Sequence, residues 1–148
     1  MQRFQFSLEQ ALRWRATRLD LENSELARLR QERHNIVQLR DRLRAESRSA
    51  AIAFQQNTRS TTGVELAMAA GYANGIANRI RRLDAQVAKC DGQIKRQTSA
   101  VVKADREKRL LERLKEERFD EWNYEMNRET ENIAGELYLA NRRHSSRR

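Results

Sequence analysis

The chain has 148 residues, of which 30 are Lys or Arg and 21 are Asp or Glu, so its formal net charge is +9. Charged residues make up 34% of the chain and hydrophobic residues only 39%, with five Gly and no Pro. This length predicts one domain, and the scarcity of turn residues argues against a barrel, a sandwich or a doubly wound sheet, which leaves long helices.

An apolar stripe runs through the first third of the sequence with the spacing of an amphipathic helix. Its members are Leu8, Leu12, Leu19, Leu26, Leu29, Ile36 and Leu43. The pattern predicts a first helix over about residues 4–56. The following segment, about residues 57–63, is rich in Ser and Thr and ends at Gly63. Because such side chains compete for backbone hydrogen bonds, this segment is the predicted turn.

A longer heptad pattern follows and predicts a second helix over about residues 64–140. Its seam residues are Ile76, Ile80, Leu83, Val87, Cys90, Ile94, Gln97, Val101, Ala104 and Leu111. In an antiparallel pair of helices, the numbers of facing residues add to a constant. The pairs Leu43 with Ile76 and Leu29 with Cys90 give the same sum, which places the turn near residue 60. We therefore predict an all-α fold, an antiparallel coiled-coil hairpin of two long helices.

Three polar residues, Arg33, Arg40 and Gln97, interrupt the predicted seam. Polar residues at such positions weaken a coiled coil but can fix its register. The basic residues at about 141–148 are predicted to form a disordered tail. This tail either increases solubility or contacts acidic protein, RNA or a membrane surface.

The second helix is predicted to be the longer one and to overhang the start of the first at its C-terminal end. The overhang keeps an apolar stripe formed by Phe119, Trp122, Met126, Ile133, Leu137 and Ala140. A lone helix gains nothing from such a stripe unless another surface covers it. An external protein, a second copy of the chain, or folding back of the overhang would each cover it, and we favour the external protein.

Charge is distributed unevenly along the second helix. Residues 76–104 contain seven basic and two acidic side chains, whereas residues 105–136 contain eleven acidic and seven basic ones. Phosphate would repel the acidic part, so DNA binding along the whole helix is disfavoured. Four carboxylates spaced by four residues, Glu117, Glu121, Glu125 and Glu129, either face solvent or meet basic residues of a partner.

Two apolar segments, 50–54 and 66–73, flank the predicted turn. Their many Ala residues allow close approach of two helices. The runs are too continuous for every side chain to face the other helix, so part of them is expected to form an exposed docking patch. The candidates for this patch are Ile52, Phe54, Met68 and Tyr72.

The sequence offers no candidate catalytic residue, metal site or cofactor site. It has no Gly-rich phosphate loop and no paired cysteines, and His34 and His144 each stand apart from a second possible ligand. Cys90 occupies a seam position, which predicts a buried thiol rather than a nucleophile. We therefore expect a protein that is not an enzyme, has no small-molecule substrate, and is cytoplasmic.

Several residues together resemble a known family. The chain opens with Met-x-x-Phe-x-Phe-x-Leu, has Leu-Glu-Arg-Leu-Lys-Glu-Glu-Arg at 111–118, and continues with Trp122, Glu125, Arg128 and Glu129. In this it resembles the FliJ family of flagellar type III export proteins. The resemblance implies a cytoplasmic stalk, peripherally associated with the inner membrane, that inserts the open end of its hairpin into a hexameric export ATPase. It also implies contacts with the cytoplasmic domain of the membrane export gate and with export chaperones.

The resemblance, taken together with the overhang and with the surplus apolar surface beside the turn, predicts two sets of contact residues. The expected ATPase-ring contacts are Trp14, Arg118, Phe119, Trp122, Glu125, Met126, Glu129 and Ile133. The expected export-gate contacts are Phe54, Met68 and Tyr72. The alternative is a basic coiled-coil scaffold that binds nucleic acid or an anionic membrane surface, with steep salt dependence as its signature.

Overall fold

The computed structural model describes residues 3–57 and 61–145, and for the last two of these, His144 and Ser145, only the backbone. It contains two α-helices, α1 at Glu9–Asn57 and α2 at Gly63–Ser145, and no strand in the described ranges. The helices pack against each other as a hairpin in which the second helix is longer. The predicted all-α class is therefore confirmed.

The helix boundaries differ from the prediction at both ends of the chain. Helix α1 begins at Glu9 rather than near Phe4. Residues 3–6 belong to neither a helix nor a strand, and Phe4 and Phe6 are half-buried between exposed neighbours, which is the alternation of an extended segment. Helix α2 continues to Ser145 instead of giving way to a disordered tail at 141. After Gly135 no Gly or Pro interrupts it.

Part of the predicted turn and of the predicted tail lies outside the described residues. These parts are residues 58–60 and 146–148, and the opening Met1 of the family-like pattern also falls there. Of the remaining turn residues, Asn57 ends α1 and Gly63 starts α2.

Helix α2 starts with a reciprocal side-chain cap. The carboxylate of Glu65 accepts a hydrogen bond from the backbone N–H of Thr62 at 2.8 Å, and the Thr62 hydroxyl accepts one from the backbone N–H of Glu65 at 3.4 Å. The bond from the Thr62 backbone N–H to the carboxylate is the main cause that holds the pKa of Glu65 below its ordinary value. This capping box satisfies backbone donors that the first helical turn would otherwise leave unpaired.

Replacing Thr62 with Ala is expected to lower the free energy of unfolding by about 1 kcal/mol, because the cap loses its acceptor. Urea denaturation followed by circular dichroism measures the change. Thr62→Ser keeps the hydroxyl and serves as the control. Equal stability of the Ala variant and the wild type would contradict a stabilising cap.

Packing within the chain divides into two compact units, Asp20–Val102 and the combination of Met1–Leu19 with Lys103–Arg148. In the first unit the buried apolar side chains are Leu26, Leu29, Leu43, Ile76, Val87 and Cys90. Both members of the predicted pairs Leu29 with Cys90 and Leu43 with Ile76 are thus buried. The heptad seam predicted from spacing is the interior of this unit.

The three polar seam residues of the first unit all bond across the hairpin. Arg33 pairs with Asp91, Arg40 pairs with Asp84 at 3.2 Å, and the Gln97 amide donates to the Glu22 carboxylate at 2.6 Å. Each bond is made only when these residues face one another. They therefore favour one register, as expected of polar residues in a seam.

In the second unit, the start of α1 is joined to α2 by ion pairs. The Lys115 ammonium lies 2.7 Å from the Glu9 carboxylate, and Arg15 pairs with Glu107. The hydrogen bond from Lys115 lowers the pKa of the Glu9 carboxyl. Ala104 is buried in this unit, so a narrow seam flanked by charge pairs holds these segments together.

Candidate protein-interaction surfaces

The unit formed by residues 3–19 and 103–145 contains an aromatic cluster, which lies at what we call the open end of the hairpin. Phe4 meets Phe119 edge-on with ring centroids 5.3 Å apart, and lies 5.9 Å from the Trp122 ring. Phe119 and Trp122, one helical turn apart, are 5.8 Å from each other. Such ring pairs contribute beyond the apolar area that they bury.

This cluster corrects the expectation that Phe119 and Trp122 have no partner within the chain. The extended N-terminal segment supplies one, because an extended backbone can place Phe4 on α2 where a further turn of α1 was predicted. Phe4 and Trp122 also line a groove at this end, together with Phe6, Leu114 and Arg118. The alternation of Phe4, Phe6 and Leu8 was the signal in the sequence, since a period of two is typical of extended chain.

Replacing Phe4 with Ala is expected to expose Trp122 to solvent without unfolding the hairpin. Iodide should then quench tryptophan fluorescence more strongly, and the loss of two ring contacts should cost about 1 kcal/mol. Because Trp14 also emits, the measurement is repeated in a Trp14→Phe background. Unchanged quenching in both backgrounds would contradict the contact between Phe4 and Trp122.

Beyond the cluster, the apolar stripe of α2 remains largely uncovered. Met126 is half-buried, whereas Ile133 and Leu137 are exposed, with 47% and 61% of their surface accessible. In the described part of the chain, every residue from 127 to 143 is exposed. The N-terminal segment thus covers the first turns of the predicted stripe and leaves the remainder open.

The acidic side chains around this stripe are exposed and differ in their pairing. Arg118 lies 2.8 Å from Glu121, so these two charges largely neutralise one another. Glu125 and Glu129 have no ion pair or hydrogen bond from their side chains among the described residues. One flank of the open stripe therefore carries uncompensated negative charge.

Trp14, the predicted ring contact on α1, lies in the same unit and is exposed. The guanidinium groups of Arg15 and Arg18 lie over its ring, at 4.9 and 5.6 Å from the centroid. These cation–π contacts hold the indole on the surface. Among the described residues, Trp14 makes no ring contact with Phe4, Phe119 or Trp122, so it forms a separate apolar feature.

At the hairpin tip, in the unit Asp20–Val102, the two helices enclose a groove lined mainly by small residues. Phe54 and Tyr72 both line it, with Ala50, Ala69 and Ala70 between them. Met68 is not among the lining residues and is 70% exposed. The structure therefore brings together two of the three predicted gate contacts and places the third on another face.

The Tyr72 hydroxyl donates a hydrogen bond to the Glu46 carboxylate, and this bond is the main cause that raises the pKa of Tyr72. It also joins the two helices at the tip. Tyr72 remains about half exposed. It therefore presents apolar ring surface beside the groove, while its hydroxyl has a hydrogen-bond partner.

Other chemistry-bearing residues are dispersed. Cys90 is buried and His34 is exposed. No three His, Cys, Asp or Glu side chains come together as metal ligands within the ranges 3–57 and 61–143. Neither described helix has a stretch long and apolar enough to span a bilayer.

No family model, characterised protein or solved structure matches this chain.

Proposed function

We propose that this chain is a non-enzymatic stalk of the flagellar type III export apparatus that inserts its open end into the hexameric export ATPase. The observation that supports this most is the surface of α2 from Glu125 onward. It combines an exposed apolar stripe with uncompensated carboxylates on a helix that outruns its partner. A stiff helix with such a surface suits the inside of a protein ring.

The charges define the kind of wall that this surface fits. Glu125 and Glu129 flank the stripe on one side, at the spacing of one helical turn. A matching wall would offer apolar side chains facing Met126 and Ile133, with Lys or Arg beside them. Charge complementarity of this kind guides orientation and association rate more than it adds affinity.

The proposal extends to the tip of the hairpin. The family resemblance implies a contact with the cytoplasmic domain of the export gate, and we assign that contact to the tip because its apolar surface exceeds what the hairpin can bury. The groove lined by Phe54 and Tyr72 gives that domain an apolar place to bind. Export chaperones are the further partners implied by the resemblance. In this arrangement the protein works at the cytoplasmic face of the inner membrane, where the gate is located.

The direct test is to mix the chain with the purified hexameric ATPase and to measure sedimentation of the complex and the rate of ATP hydrolysis. Reversing the charge of this flank with Glu125→Lys and Glu129→Lys is expected to weaken binding about tenfold at low salt, with less effect at high salt. The control, Asp120→Lys with Glu131→Lys, makes the same charge change at exposed residues on the side of α2 opposite Glu125 and Glu129, by helical periodicity. Absence of binding by the wild type would refute the proposed function.

A further inference from the structure

The hairpin tip differs in composition from the rest of the chain. Within residues 49–57 and 61–78, Glu65 is the single charged residue, although charged residues make up 34% of the whole sequence. Glu65 itself is occupied in the cap of α2. The described part of the tip, residues 49–57 and 61–78, is therefore almost uncharged.

The tip also exposes an unusual number of large apolar side chains. Met68 is 70% exposed and Leu66 is 54% exposed, and the others with about half or more of their surface accessible are Ile52, Val64 and Tyr72. They lie on both helices and are not confined to the groove. A binding surface that includes them all must meet the tip end-on rather than fill the groove alone.

Immediately behind the tip comes a belt of five arginines: Arg42, Arg48, Arg79, Arg81 and Arg82. All five are exposed. Successive residues of a helix turn by about 100°, so the three arginines on α2 point in three different directions. The positive charge thus surrounds the hairpin instead of marking one face.

The carboxylates near this belt are already engaged by other residues. Asp41 pairs with Arg40 at 3.0 Å, Asp84 pairs with Arg44 at 3.1 Å, and Glu46 accepts the hydrogen bond from Tyr72. Within the described ranges none of the belt arginines has an ion pair with a carboxylate, and Arg81 bonds to the amide of Asn78. The hydrogen bond from the neutral Tyr72 hydroxyl leaves Glu46 its single negative charge, so the belt of five arginines keeps a net positive charge.

An uncharged apolar tip followed by a cationic belt matches the layers of an anionic bilayer surface. Apolar side chains enter the boundary between headgroups and acyl chains, while arginines reach the phosphates. Nucleic acid would account for the arginines but not for the apolar side chains. A protein groove would account for the apolar side chains but not for positive charge on several sides.

We infer that the hairpin tip docks on the surface of a membrane containing anionic phospholipids. Its apolar side chains enter the interface, and the belt arginines bind the headgroup phosphates. Neither helix crosses the bilayer in this arrangement. The inference goes beyond the proposed function and does not depend on it, since it requires neither the ATPase nor the gate.

The test is co-sedimentation of the full chain with vesicles of phosphatidylcholine alone or of phosphatidylcholine mixed with phosphatidylglycerol. We expect binding to the mixed vesicles, weakened by salt, and little binding to phosphatidylcholine alone. The variant Arg79→Gln, Arg81→Gln, Arg82→Gln should bind about tenfold more weakly. The control Arg106→Gln, Arg113→Gln, Arg128→Gln has the same net charge and should bind as the wild type does.

A second pair of variants tests the apolar part of the surface. Leu66→Ser with Met68→Ser should reduce binding at least about fivefold, in line with the loss of buried apolar area. The control, Leu110→Ser with Leu139→Ser, removes leucines that are 65% and 54% exposed elsewhere on α2. Circular dichroism verifies that every variant remains helical.

Several outcomes would overturn the inference. They are equal binding to both kinds of vesicle, equal losses in the tip variants and their controls, and absence of binding to the mixed vesicles by the wild type. Binding of the purified gate domain by a chain that does not bind vesicles would make the tip a protein-docking surface. Because the vesicles contain no export protein, a negative result here leaves the ATPase test unaffected, and the reverse is also true.

Discussion

Replacing Leu29 with Ala is expected to lower the free energy of unfolding by about 2–4 kcal/mol. Leu29 is only 5% exposed, and Cys90, the residue predicted to face it, is 4% exposed. A two-helix hairpin has a single layer of interior side chains. Because few other side chains lie nearby to fill the cavity, the cost should approach that of removing the full set of contacts.

The measurement is urea denaturation followed by circular dichroism, with Leu21→Ala as the matched control on the same helix. Leu21 is 66% exposed, so its truncation should change the free energy of unfolding by no more than about 0.5 kcal/mol. Similar losses at the two positions would show that the hairpin does not pack along the predicted seam.

The seam could be predicted from the sequence because its signal is repeated many times. Each heptad adds an apolar residue at the same spacing, and an antiparallel pairing requires all facing pairs to agree on one turn position. Leu29 with Cys90 and Leu43 with Ile76 satisfied that requirement, and the structure buries all four. A pattern repeated over this many residues overrides the weak preferences of individual ones.

The N-terminal segment could not be predicted in the same way, because only three residues carry its signal. Phe4, Phe6 and Leu8 fit an extended period of two, but Leu8 also fits the helical stripe that continues through Leu12. The helical interpretation extends a long pattern, whereas the extended one depends on contacts with Phe119 and Trp122. Those contacts join residues far apart in sequence, so local periodicity does not reveal them.

The ion pairs could not be predicted from the sequence either. Seam arithmetic places Arg40 opposite about residue 79, and it does not indicate that Arg40 binds Asp84, that Asp84 is shared with Arg44, or that Asp41 also binds Arg40. The Arg belt is visible only once these carboxylates are known to be occupied. The sequence shows that residues 76–104 carry an excess of basic side chains. It does not show which of those side chains are left without an ion pair to a carboxylate.

The largest effect on partner binding is expected at Trp122. If the open end contacts the inner wall of the ATPase ring, Trp122→Ala should lower the affinity by on the order of 2 kcal/mol, roughly thirtyfold. Trp122 is half-buried against Phe4 and Phe119. The substitution should therefore also lower the stability of the chain by about 1 kcal/mol, through loss of these ring contacts.

Phe4→Ala separates the two effects, because it removes much the same contact within the chain and leaves the indole in place. Binding and ATP hydrolysis are measured for both variants at a temperature where circular dichroism shows them fully helical. If Trp122 is the anchor, Phe4→Ala should bind the ring at least as well as the wild type, since it uncovers the indole, and only Trp122→Ala should bind weakly. Equal weakening by the two variants would mean that the ring recognises the packed aromatic cluster as a whole. Wild-type affinity and hydrolysis in Trp122→Ala would place the contact further along α2, where Met126, Ile133 and Leu137 remain available.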